Sequence, residues 1–426
     1  MSAGDTIPRM RKLKLRNLIL IPIALVVVAV LLYQIPAVNR LVSWRYQVAI
    51  AYMRGVINPV EGVPTPIPVR TSATAQADQA TASPTPPPTS TPLTPEPTAT
   101  LAPSPTPIPA AISLPAPSWE KQDINNCGPA TLAMYLRYYG WEGDQFPIAE
   151  LLKPQREDRN VNVEELAYYV RTRAGWLNAE YRVGGNTDLL KRLLAARIPV
   201  MVEESFYFEE PFWPNDDLWA AHYNLLTGYD DTTQTFTGQD SFHGANQSIP
   251  YATLDDYWRI FNRVYILVYP PNMEGTVQSV LGEDWDIEIN RQRALEAAQA
   301  EIDSDQQDAF AWFNLGTNLV YFERWGEAAN AFDRARELGL PQRMLRYQFT
   351  PFFAYFHTRR IEDLLTLSEY ALEITPNAEE ALLWHGWGLY RNGDTPAALA
   401  DFQAALQENP NYEDALYALN FVRQNP

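Results

Sequence analysis

The chain contains one cysteine, Cys127, in the stretch QDINNCGPA that runs from Gln122 to Ala130. Asn125 and Asn126 are capping types and Pro129 suits a first turn, so the spacing predicts a helix that opens at or next to Cys127. A helix N-terminus carries partial positive charge and unpaired N–H groups, and both favour a thiolate. Thiolate character makes cysteine a nucleophile near neutral pH. Gln122, five residues upstream, has an amide that can join the Cys127 backbone N–H in a two-donor oxyanion hole. The nucleophile needs a base. His222 opens the apolar run HYNLLTGYD and is expected at the end of a buried strand, where its imidazole can take and return a proton. Asp240, in GQDSF, closes the next strand and can fix the imidazole tautomer. Each residue also has a plain structural reading: a buried thiol, a strand-end histidine, a turn aspartate, a surface glutamine. Their co-occurrence in the order Gln, Cys, His, Asp favours the chemical reading.

The elements that must position these groups follow from the periodicity. LAMYLRYY, ending at Gly140, VNVEELAYYVRTR and TDLLKRLLAA read as helices, with Thr187 a candidate cap for the last. PVMVEE, HYNLLTGYD, QTFTGQD and VYILVYP read as strands, the middle two joined by a hairpin-like turn. Helices first and antiparallel strands later predict an α+β domain over residues 118–271. The order of site residues is that of a papain-like cleft.

QDINNCGPATLAMYLRYYGW together with AHYNLLTGYDD and FTGQDSF resembles the bacteriocin-processing, double-glycine-type cysteine peptidases and their wider papain-like relatives. The resemblance covers roughly residues 118–270. It implies Cys127 as nucleophile, His222 as base, Asp240 as orienting acid and Gln122 as oxyanion donor, with peptide hydrolysis through a thioester. Two features depart from the pattern. No G-x-x-x-x-G-K-[ST] phosphate loop follows, so the double-glycine leader substrate of the exporter members is not implied. Ser241 follows Asp240 where proline is common.

Residues 287–426 are helical and repetitive. Trp312, Leu315, Gly316, Leu319, Ala328, Phe332 and Ala335 follow tetratricopeptide spacing, with Pro341 one place late. Leu382, Gly386, Leu389, Ala398, Phe402, Ala405 and Pro410 repeat it. Tyr355, Leu364, Ala371 and Pro376 mark a weaker middle repeat, and helices at 287–303 and from Tyr412 complete the stack. The repeats are expected to bind a protein partner or substrate, or else to brace the catalytic domain. His385 is read as a packed helix histidine and His357 carries no signal. His243, in a Gly-rich loop, is read as exposed. The acidic stretch of Glu203, Glu204, Glu209, Glu210, Asp216 and Asp217 is read as a solvated loop.

Ahead of these domains, residues 1–16 form a basic tail and 17–39 an uncharged apolar stretch long enough for a transmembrane helix. Residues 40–58 read as an amphipathic continuation on the membrane surface. Residues 59–117 form a Pro/Thr/Ser-rich linker, expected to be disordered and to act as a stalk. The net charge is −18, with eight Lys/Arg against one Asp before Glu61, so the remainder carries about −25. That balance excludes nucleic acid as the main partner, and a single Cys excludes a disulfide framework or multi-cysteine metal site. No cofactor or metal is expected. The positive-inside rule predicts a single-pass membrane protein with a cytoplasmic N-terminus and extracytoplasmic peptidase and repeats, on a bacterial cell surface. The expected activity is cysteine peptidase, on a peptide or protein substrate. The alternatives are an inactive peptidase-like scaffold, or an amidase or transpeptidase using the same triad.

Overall fold

A computed structural model describes residues 10–68, 108–156 and 161–425. The first nine residues of the basic tail and residues 69–107 of the Pro/Thr/Ser tract lie outside them.

The N-terminal arm holds α1 (Met10–Tyr33) and α2 (Pro36–Ile57). The apolar stretch expected at 17–39 is therefore not one element. Pro36 lacks an N–H and disfavours helical backbone at the residue before it, so the chain breaks at Ile35 (φ −75°, ψ 120°) and restarts. Among the described residues no helix is long and apolar enough to cross a membrane. The amphipathic segment after it does not lie free. Trp44, Val48 and Ala51 of α2 pack against the main core, Trp44 edge-on to Phe212 at 5.2 Å. Gly55 approaches so closely that a Cβ there would lie 2.4 Å from the Trp213 Cβ. Residues 59–68 continue without regular secondary structure, with Val63 buried.

After the tract the chain forms β1 (Ala111–Ser113), α3 (Cys127–Tyr138), α4 (Gln145–Leu152), α5 (Val163–Arg173), β2 (Asn178–Arg182), α6 (Thr187–Ala195), β3 (Val200–Tyr207), β4 (Trp219–Asp230), β5 (Thr235–Asp240), β6 (Gly244–Pro250), α7 (Tyr251–Trp258), β7 (Tyr265–Tyr269) and α8 (Glu274–Leu281). The strands make one antiparallel sheet in the order β2-β7-β3-β4-β5-β6, with β1 beside β4. Strand alternation sends Met201, Leu225, Ile266 and Val268 to one face and Val200, Val202, Leu226 and Leu267 to the other. The first face packs under α3–α5 and the second under α6–α8, so both sides of the sheet are covered. Asn186 caps α6 by accepting from Leu189 N at 2.9 Å, in place of the expected Thr187.

The C-terminal part holds α9 (Ile287–Ser304), α10 (Ala309–Tyr321), α11 (Trp325–Leu338), α12 (Met344–Tyr347), α13 (Thr350–His357), α14 (Ile361–Ile374), α15 (Glu379–Arg391), α16 (Thr395–Glu408) and α17 (Glu413–Gln424). α10–α11, α13–α14 and α15–α16 are tetratricopeptide-like pairs. The small-residue positions have the steric role the spacing implies: a Cβ on Gly316 would lie 2.6 Å from the Phe332 ring, and one on Gly386 2.6 Å from Phe402. The middle repeat is weak in sequence because its first helix is short. Residues 339–349 leave the solenoid to meet the sheet domain. There Arg343, about 1% exposed, forks onto Asp216 with two bonds of 2.6 Å and reaches Trp219 O at 3.0 Å, its guanidinium 4.1 Å from the Trp213 ring centroid.

The remaining contacts run along the same side. Asn290 of α9 exchanges two hydrogen bonds with the Val183 backbone, Asn314 of α10 donates to Arg259 O at 2.7 Å, and Asn409 donates to Leu152 O at 3.0 Å. One hydrophobic cluster runs from α3 to α14. The repeats thus brace the sheet domain through α9, α10 and the segments before α12 and after α16.

Gly386→Ala is expected to lower stability by about 1–3 kcal/mol through overpacking against Phe402. Gly326→Ala, in open space on α11, is expected to be neutral or to stabilise by up to ~1 kcal/mol. Urea melts of the two variants against the parent check the contrast.

Candidate active site

Cys127 is the first residue of α3 and is partly exposed. The loop before it is fixed by a residue with no evident signal in the sequence. Gln145, 2% exposed at the start of α4, accepts from Asp123 N and Asn126 Nδ2 at 2.6 Å each, and donates to Glu120 Oε1 at 2.7 Å and Lys121 O at 2.9 Å. Asn125 takes a left-handed conformation (φ +52°), which asparagine tolerates, and this turns the chain into the helix. Thr131 Oγ1 then donates to Tyr223 O at 3.2 Å and seats α3 on β4, the strand that carries His222.

His222 is buried. Its Nε2 lies 2.9 Å from Asp240 Oδ1. With Nε2 committed to Asp240, Nδ1 is the nitrogen left for the thiol. Burial opposes charge on this ring, yet Asp240 and Cys127 outweigh it and raise the pKa to about 10. Asp240 is also buried. Burial works against its charge as well, but His222 and the backbone and ring N–H groups of His243 hold it well below the ordinary carboxylate range. Phe242 N and His243 N donate to Oδ1 at 2.7 and 2.9 Å, and His243 Nδ1 lies 2.7 Å from Oδ2. His243, read from the sequence as exposed, is half-exposed and also grips the Asp240 carboxylate. Trp119 Nε1 donates to Asp240 O at 2.7 Å.

Gln122 is tied to the residue after Asp240. Its backbone N donates to Ser241 O at 2.9 Å, and Ser241 Oγ donates to Gln122 Oε1 at 2.8 Å. The carbonyl end of the amide is thereby occupied and the NH2 end is left for another acceptor. Ser241, the departure from the family pattern, is the residue that sets this orientation.

The acidic stretch before His222 is not one solvated loop. Glu209 and Glu210 are exposed, but Asp216 pairs with Arg343, and Glu203 and Glu204 are buried on β3. Strand pairing sets Glu204 opposite His222. Burial raises the Glu204 pKa to about 7 against the pull of His222 and of Asn224, which donates to it at 3.2 Å. Burial also pushes Glu203 well above its ordinary value, with the neighbouring Cys127 and Glu164 adding to the effect. A cleft of about 320 Å³ opens beside the pair, lined by Glu204, His222, Asn224, Asp240 and His243 among others. Among the described residues no group of three or more His, Cys, Asp or Glu could hold a metal ion.

Residues 112–266 match the family described as Peptidase_C39 like family. This part of the chain is similar to the C39-like peptidases. Several solved structures are similar to parts of the molecule. A putative C39-like peptidase from Bacillus anthracis is 16% identical over 37% of this chain and 96% of its own, with a TM-score of 0.30. Xylellain, a cysteine protease from Xylella fastidiosa, is 14% identical over 38% of this chain and 87% of its own, with a TM-score of 0.30. YrrB, a TPR protein with an unusual peptide-binding site, is 23% identical over 35% of this chain and 73% of its own, with a TM-score of 0.29. No curated protein matches the chain.

The histidines of the repeats have local roles. His385 Nδ1 lies 2.7 Å from Asp401 Oδ2 between α15 and α16, and His357 stacks on Trp325 at 4.1 Å.

Because the folded state holds the Glu204 proton more tightly than the unfolded chain, this residue lowers stability as pH rises from about 4.5 to about 7 and adds no further loss above that. Glu204→Gln is expected to remove this part of the pH dependence, read as the change in urea midpoint between pH 5 and pH 8.

Proposed function

We propose that the C39-like domain is a cysteine peptidase whose nucleophile is Cys127, with His222 as general acid and base, Asp240 as its orienting partner and Gln122 as an oxyanion donor. The observation that carries this reading is an arrangement of three groups: a cysteine at the N-terminus of α3, a buried histidine on β4, the strand that α3 is seated on, and a carboxylate 2.9 Å from Nε2 of that ring. An imidazolium beside Sγ is the partner a thiolate requires. Sγ attacks the scissile carbonyl, and the oxyanion is met by the Cys127 N–H and the Gln122 amide. The tetrahedral intermediate collapses as His222 gives its proton to the leaving amine, which departs and leaves a thioester. His222 then takes a proton from water, hydroxide adds to the thioester, and the thiolate leaves as the acid product is released. Asp240 stays ionised throughout.

The arm is proposed to anchor the protein at a membrane, with the N-terminus cytoplasmic and the folded body outside. Supporting this, Leu20, Ile21, Ile23, Leu25, Val26 and Val27 are exposed in sequence around α1 rather than along one stripe, which is unfavourable in water. The repeats are proposed to bind a protein partner through a surface the sheet domain leaves open. α17 exposes Leu416, Tyr417 and Phe421 there.

Iodoacetamide labelling of Cys127 tests the core of this reading. Labelling is expected to be fast well below the free-thiol pKa of about 8.5 and to be slowed by His222→Ala. A profile that follows a free thiol and ignores His222 overturns it. Once a peptide substrate is in hand, Cys127→Ala is expected to abolish turnover. Gln122→Ala should lower kcat by about 10²–10³ with little change in KM, and Ser241→Ala by less, because the donor is kept and only its orientation is lost.

A further inference from the structure

The mechanism leaves unexplained why a helix separated by 53 residues from the start of the sheet domain is built into its surface. The arm from Pro36 to Ile67 is held at two ends. At the first, Arg156 Nη1 donates to Asn39 Oδ1 at 2.5 Å and to Ser43 Oγ at 3.1 Å on α2. The same guanidinium forks onto Asp123, Nε to Oδ2 at 2.9 Å and Nη2 to Oδ1 at 2.8 Å. Asp123 lies between Gln122 and Cys127, so the arm touches the nucleophile loop through one side chain.

At the second end, buried solenoid side chains read the backbone of the strap after α2. Arg336 donates to Pro64 O at 2.8 Å and to Thr65 O at 3.0 Å. Asp363 accepts from Ile67 N at 3.2 Å, and Tyr370 donates to Glu61 O at 3.0 Å. With the strap in place Arg336 and Asp363 are 2% and 4% exposed, so its backbone meets charged groups that are out of water in the docked state. Between the two ends α2 closes on Trp213, leaving a cavity of about 30 Å³ along the seam.

We propose that Pro36–Ile67 is an intramolecular ligand of the catalytic body, and that its docking holds the nucleophile loop through the Arg156–Asp123 bridge. The composite groove, Arg156 and Trp213 on the sheet domain with Arg336, Asp363 and Tyr370 on the solenoid, takes an amphipathic helix followed by a proline-containing chain read at its carbonyls. The effect on catalysis rests on the peptidase reading; the docking does not. The Pro/Thr tract then joins two segments held on one body. It leaves the solenoid after residue 68 and returns at β1, and so does not space the domain from α2.

The test is to place a sequence-specific protease site within residues 80–95 of the full-length protein in detergent, cut it, and follow both fragments by size exclusion with mass determination. The N-terminal fragment is expected to stay with the remainder at the mass of one chain. Val63→Asp, and separately the milder Tyr370→Phe with Ser43→Ala, are expected to release it. Loss of the fragment should slow iodoacetamide labelling of Cys127 about tenfold or more, and adding back the 36–67 peptide should restore it. Separation of the fragments in the cut parent overturns the proposal, as does a stable two-chain mass, which would show exchange between copies. Retained labelling after release overturns the control of the loop. His222-independent labelling in the uncut parent instead overturns the peptidase reading, while co-elution still decides the docking.

Discussion

The hydrogen bond between His222 Nε2 and Asp240 Oδ1 is the constraint the rest of the catalytic half is arranged around. Both groups are buried, and a buried ion pair is costly to form unless further hydrogen bonds satisfy it. Here the surroundings supply them. Two backbone N–H groups and the His243 ring converge on one carboxylate, while Trp119 takes the carbonyl of the same residue. The turn after β5 is what allows this: residues 241–243 fold back so that the strand's last side chain accepts from the turn's own backbone. Ser241, in that turn, reaches Gln122. A short piece of chain therefore fixes the Asp240 carboxylate, and through it His222, as well as the Gln122 amide.

The candidate residues that the structure brings near one another were picked out from residue types and local context. Cys127 follows capping residues, His222 opens an apolar run and Asp240 ends a strand, and these are one-dimensional signals; His222, expected at the end of its strand, is instead the fourth residue of β4, which begins at Trp219. Gly316 and Gly386 were legible for a similar reason: their spacing to Phe332 and Phe402 repeats, and only a small residue fits beneath the ring. The supporting groups were not legible. Gln145 acts only because α4 packs beside α3, and nothing in its neighbourhood distinguishes it from a surface glutamine. Glu203 and Glu204 look like part of a charged loop because Glu209, Glu210, Asp216 and Asp217 follow. Burial depends on β3 lying between β4 and β7, a long-range pairing that composition does not report. The packing of α2 on the body was not legible for a related cause. An amphipathic helix has the same pattern whether its apolar face meets lipid or protein, and the partner residues, Phe212 and Trp213, lie more than 150 positions away.

The relation between the two folded parts follows from where the solenoid departs from its own repeat. A regular solenoid would place a full helix after α11. Here residues 339–349 leave the stack, and the short α12 presents Arg343 to Asp216 between Trp213 and the β4 backbone. A fully buried arginine in that position is destabilising unless its fork and its face are both met, and the sheet domain supplies a carboxylate for the one and aromatic rings for the other. The loop that supplies them, residues 208–218, runs directly into the strand bearing His222. The brace thus acts at the base of the catalytic strand. The repeats are bound up with the site's rigidity even where they bind no substrate.

That coupling bears on how such a chain can be controlled. A catalytic loop held only by its own domain has one stable arrangement. If the loop is held through Arg156 to α2 as proposed, it has two, docked and undocked, and the balance between them would respond to whatever competes for the helix. The second anchor makes the balance steep, because the strap's main-chain bonds to Arg336 and Asp363 form at the opposite end of the same arm. Losing either end leaves the other to hold a longer free segment, so the two contacts strengthen each other by effective concentration rather than by direct touch. A membrane at α1 would act on the same balance from outside the fold, since the energy that draws an apolar helix into lipid is transmitted to Asn39 and Ser43 across only the two residues that separate α1 from α2.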